Sequence, residues 1–230
     1  MKHTHIATWN NTAIVVPAYR AAHHLPALFA RVEQVCGLER MYVVDDGSGD
    51  DTPDVCRSHG VRLVRHEENQ GKGAALRTGL RQAHADGWQW AVTLDADLQH
   101  EPESMPRFLA RQRATGASLV YGRRCFSRKV MPWPRIASNR LTSLMVSLTC
   151  RQRVHDSQCG YRLYRLEPLA ELSFRTSRYQ FESEVLFKLA KIGARFSFVP
   201  IRTVYGDEQS HIRHLRDIAN FIGVLLDAWR

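Results

Sequence analysis

Trp90-Ala91-Val92-Thr93-Leu94-Asp95-Ala96-Asp97-Leu98-Gln99-His100 joins an apolar run to a pair of closely spaced carboxylates. Its apolar first half reads as a buried strand. Asp95 and Asp97, at i and i+2, project from the carboxyl end of that strand. In an open α/β sheet, ligands bind at the carboxyl ends of the strands. Two like charges buried there without partners are expensive. A divalent cation removes the conflict, and hard carboxylate oxygens suit Mg²⁺ or Mn²⁺. Gln99 offers a third oxygen. Asp-x-Asp alone is a common pattern, and the carboxylates would equally serve to cap the next helix.

Outward from this stretch, short β-like runs alternate with helical ones. Ala13–Val16, Met41–Val44, Val61–Val64, Ser118–Tyr121 and Phe196–Val199 read as further strands. Leu25–Cys36, Gly73–Ala85, Asn139–Thr149 and Phe181–Ile192 read as helices. This alternation implies parallel βαβ units. Arg123 to Arg135, with two prolines and five Arg or Lys residues, reads as a mobile basic loop. Ile212 to Trp229 is amphipathic, and core packing is the main expectation for its apolar face. The strand ends gather Pro17-Ala18-Tyr19, Asp45-Asp46-Gly47-Ser48, Asn69-Gln70-Gly71-Lys72-Gly73 and Asp95-Ala96-Asp97 along one sheet edge. An aromatic, carboxylates able to accept from a base or ribose, a lysine beside a helix N-terminus and a metal pair together make a nucleoside-diphosphate site. Gly71-Lys72-Gly73 is not a Walker A loop, because His66 stands where that loop needs its first glycine.

The 230 residues, 44% apolar, suffice for one large or two small domains. The net charge of +9 and pI near 9.7 point to an anionic partner. The basic residues are not interleaved with stacking aromatics, which argues against nucleic acid. The five cysteines include no Cys-x-x-Cys pair, so a disulfide framework or zinc site is not expected and a reducing cytosol is. No signal-peptide pattern and no membrane-spanning run is visible.

Val16-Pro17-Ala18-Tyr19, Val44-Asp45-Asp46-Gly47-Ser48, Asn69-Gln70-Gly71-Lys72-Gly73 and Asp95 to His100, in this order, resemble family 2 glycosyltransferases of the GT-A fold. The likeness is strongest to the dolichyl- and polyprenyl-phosphate sugar transferases. It continues through Gly122-Arg123-Arg124, Asp156 to Arg162, Phe181 to Glu184 and Val199-Pro200-Ile201. The resemblance implies one GT-A domain over residues 1–230, with a mostly parallel, Rossmann-like sheet flanked by helices. Residues 1–104 would form the nucleotide-sugar half and 105–230 the acceptor half. It implies that Pro17, Ala18, Tyr19, Val44 and Asp46 hold the nucleoside of a GDP- or UDP-sugar. Lys72, Asp95 and Ala96 would face its diphosphate, and Asp95, Asp97 and Gln99 the metal. Asp97, Arg124 and Asp156 would be catalytic. Arg124, Arg135, Glu184, Arg202 and His211 would meet a lipid-phosphate acceptor. The chain would then work in the cytoplasm, peripherally on the inner, anionic face of the membrane.

Two features depart from the family pattern. Arg20-Ala21 follows the tyrosine where Asn-Glu is common, and the segment after Ile201 has its arginine shifted and His211 in place of a lysine. A hydroxyl acceptor, with Asp156 as general base, stays open as an alternative. A non-catalytic membrane-binding module stays open as a different class of function. A sugar nucleotidyltransferase lacks its Gly-x-Gly-x-Arg loop here, and Leu98-Gln99 does not fit a haloacid-dehalogenase phosphatase.

Overall fold

A computed structural model describes residues 6–125, 133–178 and 180–202, except the side chains of Pro134 and Arg135. The described elements are β1 (Thr12–Ala18), α1 (Leu25–Cys36), β2 (Met41–Asp45), α2 (Thr52–Ser58), β3 (Arg62–Arg65), α3 (Lys72–Ala85) and β4 (Trp90–Thr93). They continue as α4 (Met105–Thr115), β5 (Leu119–Arg124), α5 (Trp133–Cys150), β6 (Arg162–Arg165), α6 (Leu166–Ala170), α7 (Phe181–Lys191) and β7 (Phe196–Ile201). All seven strands share one sheet of order β3-β2-β1-β4-β6-β5-β7. Every pairing is parallel except those of β6, which runs antiparallel to β4 and β5.

The strands are apolar on both faces because helices cover both. Ile14, Val16, Val43, Val92, Val120 and Leu163 point to the face that packs on Leu28 and Val32 of α1 and Phe108 and Leu109 of α4. Their alternating neighbours Ala13, Val15, Tyr42, Ala91, Leu119, Tyr121 and Tyr164 join Leu76, Leu80, Val146, Val185 and Leu189 on the other face. The period-2 alternation thus divides each strand between two cores. Gly79 lets α3 lie close to the sheet: a Cβ there would fall 2.5 Å from Val15 Cγ1 and 2.9 Å from Val44 Cγ2.

One sequence expectation changes. The basic segment is not one loop: Arg123 and Arg124 belong to β5, and α5 begins at Trp133. Between them, residues 126–132 lie outside the described residues, as do His211 and the amphipathic stretch 212–229. Strand β6, not visible in the sequence pattern, reverses direction. The segment that enters it, Asp156 to Tyr161, therefore reaches the same sheet edge as the carboxyl ends of β1, β2, β4 and β5.

Candidate active site

The carboxyl-end edge holds two charge clusters. The first is centred on Lys72, the first residue of α3. Its Nζ lies 2.8 Å from Asp95 Oδ1, 3.0 Å from Asp95 Oδ2 and 3.1 Å from Glu182 Oε1. Burial alone would lower the Lys72 pKa, but Asp95 and Glu182 more than reverse this and raise it. Burial pushes the Asp95 carboxyl up, and Lys72 leads the cations that bring it below its ordinary value. Both groups are therefore charged near neutral pH. Two carboxylates share one ammonium, leaving one negative charge in excess within this trio. Glu182 is buried, and its Oε1 lacks a well-aligned hydrogen bond. The trio also explains Gly160, whose Cβ would sit 2.8 Å from Glu182 Oε1 and 2.9 Å from Lys72 Nζ. Thr93 Oγ1 donates to the Gly160 carbonyl at 2.7 Å, which fastens this turn to the end of β4.

β4 ends at Thr93, so Asp95 and Asp97 stand on the turn beyond it rather than on the strand. Asp97 Oδ1 accepts the Gln99 backbone N–H at 3.0 Å, and Leu98 between them adopts a left-handed φ of 60°. Among the described residues no cluster of three His, Cys, Asp or Glu side chains closes around a metal position. That does not conflict with the donor chemistry: Mg²⁺ is held by one or two carboxylates plus substrate phosphates rather than by an all-protein cage. The excess negative charge of the trio fits a cation.

The second cluster is Arg124 with Asp156. Arg124 Nε and one terminal nitrogen donate to the two Asp156 oxygens at 2.7 and 2.9 Å, and the Arg124 backbone N–H adds a third contact at 3.3 Å. Asn139 of α5 donates to the same carboxylate at 3.3 Å. Asp156 is fully buried, while 17% of the Arg124 side chain remains exposed. Asp156 therefore orients Arg124, and as a base it would first have to give up these bonds.

His100 lies under both clusters. Burial pushes its imidazole down to about 4, with Asp95 opposing. It is neutral, with Nε2 3.9 Å from Cys159 Sγ and Nδ1 without a hydrogen-bond partner. Arg162 is also fully buried and organises the surrounding loop. It donates to the carbonyls of Cys159, Glu182 and Ser157, each at 2.7 Å.

The expected nucleoside residues divide. Tyr19 is 47% exposed at the end of β1, open for stacking, with the Arg20 guanidinium 5.4 Å from its ring centroid. Pro17 is half-buried, and Ala18, Val44 and Ala96 are buried. The Val44 side chain meets α3, so it offers a ligand only backbone. Asp46 is committed within the protein. It accepts His66 Nδ1 at 2.7 Å and the N–H groups of Gln70 and Gly71 at 3.0 and 2.8 Å. The glycines flanking Lys72 have a packing reason: a Cβ on Gly71 or Gly73 would strike Ser177 O or Arg178 O at 2.6 or 2.5 Å.

Glu184, expected near the acceptor, instead binds the turn before α7. It accepts the N–H groups of Arg175 and Thr176 and pairs with Lys188 at 2.9 Å. The helix carboxylate in the site is Glu182. Its deeper place in the apolar arc of the helical wheel was the available signal. His100 carried a weaker one, as the end of the Asp95 motif. Arg202 is exposed just beyond β7. His211 and the Arg135 side chain lie outside the described residues.

The family model "Glycosyl transferase family 2" matches residues 13–173. The undecaprenyl-phosphate mannosyltransferase of Micrococcus luteus is 30% identical over 203 residues, 83% of this chain and 82% of that protein. A Methanococcus voltae protein named UDP-N-acetylglucosamine–dolichyl-phosphate N-acetylglucosaminyltransferase is 28% identical over 84% of this chain and 85% of its own. Glucosyl-3-phosphoglycerate synthase of Mycobacterium tuberculosis, solved with Mn²⁺, UDP and phosphoglyceric acid, shares the fold. Its TM-score is 0.73 at 22% identity, over 95% of this chain and 78% of that one. Sheet order, motif positions and these matches agree: the chain is a member of glycosyl transferase family 2.

Proposed function

We propose that this glycosyltransferase moves a sugar from a UDP- or GDP-sugar to a polyprenyl phosphate, with inversion at the anomeric carbon. One observation favours a phosphate acceptor over a hydroxyl one. Asp156, the carboxylate that would serve as base toward a hydroxyl acceptor, is buried and holds Arg124 through both its oxygens. A hydroxyl acceptor needs a base. A phosphate monoester, with a second pKa near 6, is already anionic near neutral pH and needs none. Arg124 supplies a fixed guanidinium for such an anion. The names of the Micrococcus and Methanococcus relatives point the same way.

In this reading the acceptor oxygen attacks the anomeric carbon from the face opposite the nucleotide. Tyr19 stacks on the base. Lys72 stays paired with Asp95 and Glu182. Mg²⁺ or Mn²⁺ held by Asp95, Asp97 and Gln99 together with the donor would neutralise the charge that develops on the leaving diphosphate.

Membrane contact is part of the proposal. Among the described residues no helix is long and apolar enough to cross a bilayer. The outward side of α5, however, exposes Trp133, Leu141, Leu144 and Leu148, with Arg140 beside them. Such a stripe suits the plane of a membrane interface, and the net charge of +9 suits an anionic, cytoplasmic leaflet.

Calorimetry with UDP and GDP, with and without Mn²⁺, tests the donor half. Tight binding should require the cation, and Asp97→Asn should weaken it tens-fold, about 2 kcal/mol. Metal-independent binding that Asp97→Asn leaves unchanged would remove the metal assignment.

A further inference from the structure

A groove beside β7, the last strand of the sheet among the described residues, lies apart from the site above. It is open, with a volume of about 620 Å³. Its lining includes Arg111 of α4, Arg123 of β5, Phe198 of β7, and Gln152, Arg153 and His155 from the segment between α5 and β6. Among the described residues no carboxylate lines it. The guanidinium carbons of Arg111 and Arg123 lie 5.7 and 4.8 Å from the Phe198 ring centroid, and the His155 ring meets the same ring edge-on at 4.6 Å. Among the described residues, none of the three arginines forms a salt bridge.

The groove is braced. Arg111 Nε donates to Ser197 Oγ at 2.7 Å. Gln152 donates to the Ala194 carbonyl at 2.8 Å and accepts the Phe196 N–H at 3.0 Å, tying the 152–155 segment to β7. Chain neighbours divide between the two sites: Arg124 and Asp156 pair in the first, while Arg123 and His155 line the groove. The His155 pKa is lowered, by burial first and then by Arg153 and Arg123, which marks a positive field. The Arg111 and Arg123 guanidiniums, gathered on one aromatic ring with no carboxylate beside them among the described residues, repel each other. An oxyanion relieves that, and the fork of N–H donors on arginine matches phosphate oxygens.

We propose that this groove is a second anion site, built for the phosphate group of a phosphate ester and separate from the donor and acceptor positions. A phospholipid headgroup and a soluble phosphate ester present the same group. The assignment does not rest on the transfer reaction, and the two stand or fall separately.

Inorganic phosphate titrated into the full chain in EDTA, followed through the His155 ring proton resonances, is the direct test. A saturable shift is expected in the wild type. It should weaken at least tenfold in Arg153→Glu and in Arg111→Gln, but persist in Arg81→Glu, the same charge change as Arg153→Glu at an exposed position of α3 away from the groove. Arg153 is exposed, so its variant should fold, and circular dichroism checks both. A second arm measures flotation with phosphatidylglycerol and phosphatidylcholine vesicles. Flotation on phosphatidylglycerol that falls more in Arg153→Glu than in Arg81→Glu assigns the site to a headgroup. Equal flotation of those two variants, with the phosphate response lost only in the groove variant, assigns it to a soluble ester. The absence of a saturable shift, or one of equal strength in all four proteins, overturns the site.

Discussion

Replacing Asp156 with asparagine keeps the shape of the side chain and removes its charge. In the native protein the carboxylate accepts two guanidinium N–H groups, the Arg124 backbone N–H and Asn139. Asparagine cannot satisfy this set, because its amide presents N–H groups where Arg124 also donates. Breaking a buried ion pair from one side costs about 3–5 kcal/mol. Arg124 keeps 17% of its side chain in solvent, so some of the lost pairing is recovered from water. The lower end, about 3 kcal/mol, is therefore expected, a fall in melting temperature of about 6–12 °C for a chain of this size. Urea denaturation at pH 7 measures it. Transfer should fall at least a hundredfold while donor hydrolysis without acceptor falls much less, because Arg124 loses its orientation and Lys72 does not. The pH–rate profile should keep its shape. A cost under about 0.5 kcal/mol, the range of a surface change, would refute the positioning role. So would full stability combined with loss of the acidic limb of the profile, which would make Asp156 the base.

Gly79→Ala should destabilise despite the better helix propensity of alanine: overpacking costs about 1–3 kcal/mol, against a propensity gain of about 1 kcal/mol. A higher urea midpoint would mean that α3 does not lie so close to Val15. Burial alone would raise the Glu184 carboxyl, but Thr176, Lys188 and two backbone N–H groups hold it below its ordinary range. Its stabilising contribution is thus present above about pH 4.3 and fades as the pH falls through the folded value. Glu184→Gln should lower stability at pH 7 and flatten the acid-side loss, and parallel stability curves for the two proteins would contradict the assignment. Leu144→Glu should leave the melting temperature almost unchanged, since the side chain is exposed. It should reduce flotation with anionic vesicles, and unaltered flotation would separate α5 from the membrane.

Much of the sheet was legible in the sequence because its strands are apolar runs ended by Pro, Gly or Asp. The Leu25–Cys36 helix matches residue for residue. Strand β6 was not legible. Arg162-Leu163-Tyr164-Arg165 has charged ends, and its burial comes from partners distant in sequence. Helix α4 is hard to see in the sequence although Met105, Phe108, Leu109 and Gln112 fall at i, i+3, i+4 and i+7. Its many polar residues dilute that period. The carboxylate motif marked the right edge of the sheet, but the pairings there were beyond sequence reading. Lys72, Asp95 and Glu182 come from three separate segments. Asp46 illustrates the limit: a carboxylate beside a strand end looks available for a ligand until its bonds to His66, Gln70 and Gly71 are seen.

The most direct test is acceptor choice. Purified protein, Mn²⁺ and a panel of radiolabelled UDP- and GDP-sugars would be incubated with polyprenyl phosphate, and separately with the matching polyprenol. The expected product is a sugar-phosphoryl-polyprenol of inverted anomeric configuration, with none from polyprenol. Transfer to polyprenol or another hydroxyl acceptor, with none to the phosphate, would contradict it.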